Sequence, residues 1–212
     1  ISPQVFDNAF KNVVPSKRVV RFDRTQPEKR LTFLEYRESR IDPYRIKLGK
    51  QKFQKHRNLL EQIAAEYGVD PCIIVALWGM ESSYGHFKGS FPVIKSLATL
   101  AFDGRRSAFF RKELLKALHI VQEGHVSLAE FKGEWAGASG HPQFLPSSWY
   151  RFAVDHDKDG KKDIWNSVED AFASIANYLH GNGWKNNQPW AVQLSAPGSL
   201  QRASQQSQHR FQ

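Results

Sequence analysis

The chain has 212 residues, 41% of them hydrophobic and 24% charged, with a formal net charge of +9. That is enough apolar material for one cored domain, or one with a smaller partner, and a single cysteine, Cys72, excludes a disulfide framework. No apolar run is long enough to span a bilayer. The positive balance favours a polyanionic partner: nucleic acid, anionic lipid or an anionic cell-wall polymer. The first residue is Ile1, so the chain reads as processed or trimmed, with any targeting segment missing.

In chain order, residues 1–24 carry Pro3, Pro15 and short mixed runs, which predict an extended arm with at most a short helix. Pro27 opens a helix to about Arg40, with Leu31, Leu34 and Phe33 inward. Asp42-Pro43 caps a long basic helix that runs to Tyr67 and stops at Gly68, with Gly49 as a candidate break. Asp70-Pro71 repeats the cap-plus-proline signal. It opens a helix over about 71–82 that holds no charge from Cys72 to Met80, as a helix buried on most sides would. Cys72 reads as a small buried hydrophobe of that helix. Glu81 is its first charge. A carboxyl at the end of a buried helix beside Trp78 and Tyr84 is partly desolvated, which raises its pKa and suits it to donate a proton near neutrality.

Pro92 opens the next helix, to about Ala101, and Arg105–Glu123 is strongly amphipathic, with Phe110, Leu114, Leu118 and Val121 on one face. A short helix is expected around Ser127–Lys132, then a Gly- and Ala-rich turn over 133–145, a short helix from Pro146 and a last one capped by Ser167. Residues 201–212 hold five Gln and two apolar residues, a polar tail. The fold class is mainly α.

Asp155, Asp157, Asp159 and Asp163 stand at positions 1, 3, 5 and 9 of one stretch, with Gly160 at position 6. Oxygen ligands at alternate positions and a glycine at the sharp turn form the front half of a calcium loop. Asn166 replaces the usual closing Glu, and Asp170 can close the site from the next helix, although with Ser167 it also makes a capping box. No Walker loop, GxGxxG, HExxH, CxxC or serine elbow is present. The histidines lack zinc-ligand spacing, and no nucleic-acid motif accompanies the basic helix, so nucleic acid is not the expected partner.

Several stretches, in this order, resemble the lytic murein transglycosylase B family. They are Trp78-Gly79-Met80-Glu81-Ser82-Ser83-Tyr84-Gly85, Gly89-Ser90-Phe91-Pro92, Gly104-Arg105-Arg106, Trp135-Ala136-Gly137-Ala138, Pro142-Gln143-Phe144-Leu145-Pro146-Ser147-Ser148, Ile164-Trp165-Asn166 and Ala176-Asn177-Tyr178. The match covers about residues 5 to 185. It implies a lysozyme-like core with an additional N-terminal helical region, and cleavage of the MurNAc–GlcNAc β-1,4 bond of peptidoglycan to a 1,6-anhydromuramoyl end. Glu81 matches the single catalytic carboxyl, acting first as acid and then as base. Tyr36, Arg105, Arg106, Glu134, Gln143, Phe144 and Tyr178 take substrate-facing places. The expected cofactor is the structural Ca2+ of the acidic loop, with no organic cofactor; the expected partner is peptidoglycan glycan strands, the expected state a monomer, and the expected place the Gram-negative periplasm, either free or peripherally associated with or lipid-anchored to the outer membrane.

On this basis the chain divides into an N-terminal arm and helical region (1–68), a catalytic core with the acidic loop (69–185) and a polar tail (186–212). The sequence departs from the family in three ways. Glu134 stands where Ser is usual; it either adds a charge and a candidate base near Glu81 or points away. Ser139 and His141 replace Met and Gln or Tyr. The family's further helical segment beyond residue 185, with another cleft tyrosine, has no match. Two readings therefore stay open beside the transglycosylase: a lysozyme-type hydrolase using Glu134, and a murein-binding protein without turnover.

Overall fold

The computed structural model describes residues 1–25, 32–186 and 188. Among them run ten helices: α1 (Pro3–Phe10), α2 (Lys17–Thr25), α3 (Phe33–Arg40), α4 (Pro43–Lys55), α5 (Arg57–Tyr67), α6 (Pro71–Ser82), α7 (Val93–Asp103), α8 (Ser107–Gln122), α9 (Pro146–Phe152) and α10 (Val168–Gly181). The only sheet among these residues is a two-residue antiparallel pair, β1 (Phe91–Pro92) with β2 (Lys132–Gly133). The mainly α expectation holds.

Two apolar cores lie side by side. One joins α5, α6 and α10 through Leu60, Ile63, Ile74, Trp78, Phe172 and Ile175. The other joins the α7–α8 hairpin, α9 and the loop before it through Leu97, Phe110, Leu118, Phe144 and Trp149. The 133–145 turn and the end of the acidic loop contribute Phe144, Ile164 and Trp165 to the second core.

Helix α6 begins and ends as its sequence dictates. The Asp70 carboxylate accepts the Cys72 N–H at 2.7 Å and Pro71 sits in the first turn. At the other end Ser83, Tyr84 and Gly85 all take positive φ (50°, 60° and 80°). Holding two non-glycine residues there costs on the order of 1 kcal/mol each. Packing offsets that cost. The Tyr84 ring lies against Gly49 of α4 and Gly79 of α6, where an added Cβ would come within 2.5 and 2.6 Å of it. Its hydroxyl donates to the Arg45 carbonyl at 2.9 Å. Thus Gly49 is a seat for Tyr84 and not a helix break; the break falls at His56, between α4 and α5.

Other expectations change. The N-terminal arm is helical, not extended. Ser2 caps α1, and α2 is held down by Val19 and Asp23, both 1% exposed. Helix α3 starts at Phe33 behind a Thr32–Glu35 capping box, and Leu34 is exposed; Pro27 and Leu31 lie outside the described residues, as does the tail from residue 189. Ser127–Glu130 is a turn rather than a helix, closed by the Phe131 N–H to the Ser127 carbonyl. Cys72 is exposed on the first turn of α6, and desolvation followed by the Asp70 carboxylate raises its thiol pKa, away from nucleophilic use.

Candidate active site

Glu81 occupies the last turn of α6, where two pockets meet. A pocket of about 280 Å³ lies on one side, lined by Leu77, Phe144, Leu145, Ile175 and Tyr178 among others. A more polar one of about 470 Å³ lies on the other, lined by Tyr36, Arg40, Met80, Phe87, Glu134, Trp135 and Ala138. Glu81 and Gln143 belong to both linings and form the wall between them. Among the described residues the Glu81 carboxyl has no hydrogen bond or ion pair. Desolvation raises its pKa and the Arg40 charge opposes the rise. Solvent still reaches the side chain, so protein surrounds the group without sealing it. Arg40 itself sits over the Tyr36 ring, 5.4 Å from its centroid.

Gln143 adopts φ of 51°, and its amide nitrogen donates to the carbonyls of Gly140 (2.8 Å) and Lys88 (3.3 Å). Those two acceptors fix which end of the amide is nitrogen. The amide oxygen is buried with no partner among the described residues, an acceptor left over at the wall of the cleft. Phe144 is 7% exposed and packs tilted against Tyr178 with ring centroids 5.7 Å apart, and Phe152 closes the group edge-on at 5.1 Å from Tyr178. Such an aromatic wall suits the apolar faces of sugar rings. Glu134 faces the polar pocket from a tight turn in which its N–H donates to Ala138 O (2.7 Å) and Gly137 N–H donates to its carbonyl (3.0 Å). The neighbouring Trp135 stacks on Phe22 of α2 at 6.4 Å.

Behind these residues lies His141, 6% exposed. Burial, then the nearby Lys88 charge, pushes its pKa down to about 4, so the ring is neutral at ordinary pH.

Arg105 and Arg106 are placed differently from expectation. Neither lines the two pockets. Both pair with the buried carboxylate of Asp23, Arg105 at 3.0 Å and Arg106 in a close contact. An ionised carboxylate at 1% exposure needs such partners. The pair therefore clamps α2 to the start of α8, with the two arginine side chains still 45% and 41% exposed.

The acidic loop folds back onto α10. Carboxylate oxygens of Asp155, Asp157 and Asp170 lie within 4.8 Å of one another. Asp159 and Asp163 lie outside that cluster: Asp159 accepts from the Lys161 N–H at 2.8 Å, and Asp163 from the Trp165 and Asn166 N–H groups, each at 2.9 Å, while Asp155 and Asp157 also accept from the Gly160 and Asp159 N–H groups at 3.0 and 3.2 Å. Ser167 caps α10 by accepting the Asp170 N–H at 3.1 Å, but the Asp170 carboxylate does not close the capping box. It accepts the N–H groups of His156 and Asp163, each at 2.7 Å.

Sequence reasoning brings Glu81, Tyr36, Glu134, Gln143, Phe144 and Tyr178 to one cleft, and misses Arg40, Phe87 and Ile175. Leu77 and Met80 were legible in hindsight, one turn and one residue before Glu81. Arg40 carries no local signal, because it reaches the cleft from another helix.

The whole chain, residues 1–212, matches the transglycosylase SLT domain model. It is 36% identical over 169 residues to membrane-bound lytic murein transglycosylase B of Escherichia coli K12, covering 78% of this chain and 46% of that protein. It resembles SltB3 of Pseudomonas aeruginosa, solved in complex with NAG-NAM-pentapeptide, at 46% identity and a TM-score of 0.89, over 93% of this chain and 53% of that one. It also resembles the E. coli lytic transglycosylase Slt35 in complex with calcium, at 31% identity and a TM-score of 0.80, over 88% of this chain and 59% of that one. The chain thus spans about half the length of these relatives. The lysozyme-like core expected from the sequence is the fold these structures share with it, and by the match along its full length the chain belongs to the transglycosylase SLT domain family.

Proposed function

We propose that this chain is a peptidoglycan lytic transglycosylase in which Glu81 is the only general acid and base. The observation that carries the reading is the position of Glu81, a carboxyl of raised pKa on the shared wall of two adjoining pockets. A glycan strand lying across that wall presents its glycosidic oxygen to Glu81. The protonated acid gives its proton to that oxygen as the bond to C1 breaks. The resulting carboxylate takes the proton of the C6 hydroxyl, whose oxygen bonds to C1 and closes the 1,6-anhydro ring. Acid is regenerated and no water is consumed, so no second carboxyl is required. The substrate's acetamido group shields the developing positive charge, the Phe144–Tyr178 wall carries one sugar, and Tyr36, Arg40 and Glu134 carry the next. Support comes from the relative SltB3, solved with NAG-NAM-pentapeptide and also with NAG-anhNAM-pentapeptide.

The acidic loop is proposed as a calcium site. Asp155 Oδ1 is buried with no partner among the described residues, and the Asp155, Asp157 and Asp170 carboxylates converge, a donor set that suits a hard cation. Asp155, Asp157 and Asp170 would hold it, with Asp159 and Asp163 able to turn in from the same loop. The cation supplies charge neutralisation to the loop, not chemistry to the cleft. The chemistry is assigned to 69–185, the segment with Glu81, Gln143 and the loop. Its partner is the peptidoglycan strand and its place the periplasm, where that polymer lies, with peripheral or outer-membrane association part of the same proposal.

The test is mass spectrometry of muropeptides released from purified sacculi. The parent is expected to yield anhydro ends and Glu81→Gln none. Reducing ends alone would replace the reading with hydrolysis.

A further inference from the structure

The loop that carries Gln143 and the helix that carries Glu81 are far apart in sequence, yet they share one wall of the cleft. One side chain joins them. The buried indole N–H of Trp78, one turn before Glu81, donates to Nδ1 of His141 at 2.7 Å. The backbone N–H of His141 donates to the Ile164 carbonyl, at the end of the acidic loop, at 2.9 Å. Its ring lies against Gly85, where an added Cβ would meet it at 2.2 Å. His141 is thus in contact with α6 before Glu81, with the left-handed turn after Glu81, and with the acidic loop, and it stands two residues from Gln143.

We propose that His141 is a positioning residue for the reaction assigned above: as the acceptor for Trp78 it holds the Gln143 loop in register with Glu81. The inference rests on the transglycosylase reading for its kinetic part and on geometry for the rest. A bond between two buried groups allows few alternative settings, because losing it leaves an indole N–H without an acceptor. It also fixes the ring as the tautomer with its proton on Nε2.

His141→Leu keeps a ring-sized apolar group and removes the acceptor; His141→Gln restores an acceptor. The leucine variant is expected to lose about tenfold to a hundredfold in kcat on sacculi, as a misplacement of about 1 Å between acid and substrate would cause. Binding to sacculi, measured in the Glu81→Gln background, changes much less, and the glutamine variant recovers most of the turnover. Trp78→Phe removes the donor and reproduces the leucine result. A leucine variant that is folded at the assay temperature and retains parental kcat overturns the proposal, and so do leucine and glutamine variants that lose turnover equally. Where a variant fails to fold, nitrogen NMR of the parent decides: a proton on Nε2 and a slowly exchanging Trp78 indole N–H are expected, and a proton on Nδ1 overturns the tie. If the parent itself releases no product, the functional reading falls, while the NMR result still judges the tie.

Discussion

The cleft and the acidic loop both contain a carboxyl whose pKa burial pushes up, Glu81 in one and Asp170 in the other. They are supplied very differently. Asp170, 0% exposed, accepts two backbone N–H groups at 2.7 Å, and these hydrogen bonds oppose the effect of burial. Glu81 has no hydrogen-bond donor among the described residues and only the Arg40 charge against burial. Donors aimed at a carboxylate favour its charged form, which suits a cation site. One left without donors trades its proton, which suits acid–base catalysis. The two differ in burial, Asp170 being closed off and Glu81 open to solvent along the cleft, and they differ as well in the local supply of N–H groups.

Breaking the cleft side gives the largest effect. Glu81→Gln keeps the size and polarity of the side chain and removes the exchangeable proton, so turnover is expected to fall about a thousandfold or more, with melting near the parental temperature. Near-parental release of muropeptides by a folded Glu81→Gln protein would end the comparison, since the carboxyl would then hold no proton of consequence.

Breaking the loop side acts on stability. A cation that binds only the folded chain at a hundred times its dissociation constant adds about 2.7 kcal/mol, which for this size raises Tm by on the order of 5 °C. Asp157→Ala removes one of the three converging carboxylates and is expected to abolish the rise, as read by calorimetry with and without calcium. An equal rise in parent and variant would assign the effect to another place on the molecule.

What the sequence makes legible follows the range of the forces involved. Helix α6 and the acidic loop are written locally, in Asp70-Pro71, in an uncharged run and in aspartates at alternate positions, and both stand where expected. Helix α2 is not legible, because among the described residues Asp23 is paired by Arg105 and Arg106, more than eighty residues away along the chain. The same fact gives that arginine pair a structural partner that its own stretch of sequence does not show. Cys72 was misread because an uncharged run does not say which flank of a helix lacks a neighbour. Asp159 and Asp163 share the alternate spacing of Asp155 and Asp157 but not their convergence with Asp170, a difference visible only once the loop is folded.

Arg40 sharpens the cleft side by a smaller step. Its positive charge favours ionised Glu81, so it holds the pKa below what burial alone would set. In Arg40→Gln the pKa rises further. The free enzyme needs protonated Glu81 for the first step, so activity falls as pH rises through that pKa. The alkaline limb of kcat/KM should therefore move to higher pH in the variant. An alkaline limb that stays in place, or moves to lower pH, would mean that it reports another group.

The smallest effect is expected at Glu134, although it stands in the polar pocket with Glu81. For hydrolysis, Glu134 would have to activate a water against the far side of the sugar ring. That water competes with the C6 hydroxyl, which is already attached to the sugar being attacked. A well-placed intramolecular nucleophile acts at an effective concentration of about 10⁵ M or more, far above that of any water. A second carboxylate therefore has little to add to the product-forming step, and its place beside Tyr36 and Trp135 fits it to bind the sugar instead. Glu134→Ser is expected to give only anhydro ends, as the parent does, with KM altered a few-fold and kcat nearly unchanged. Reducing ends from the parent that disappear in Glu134→Ser would reverse this assignment, because they would show a water reaching C1 with the help of Glu134.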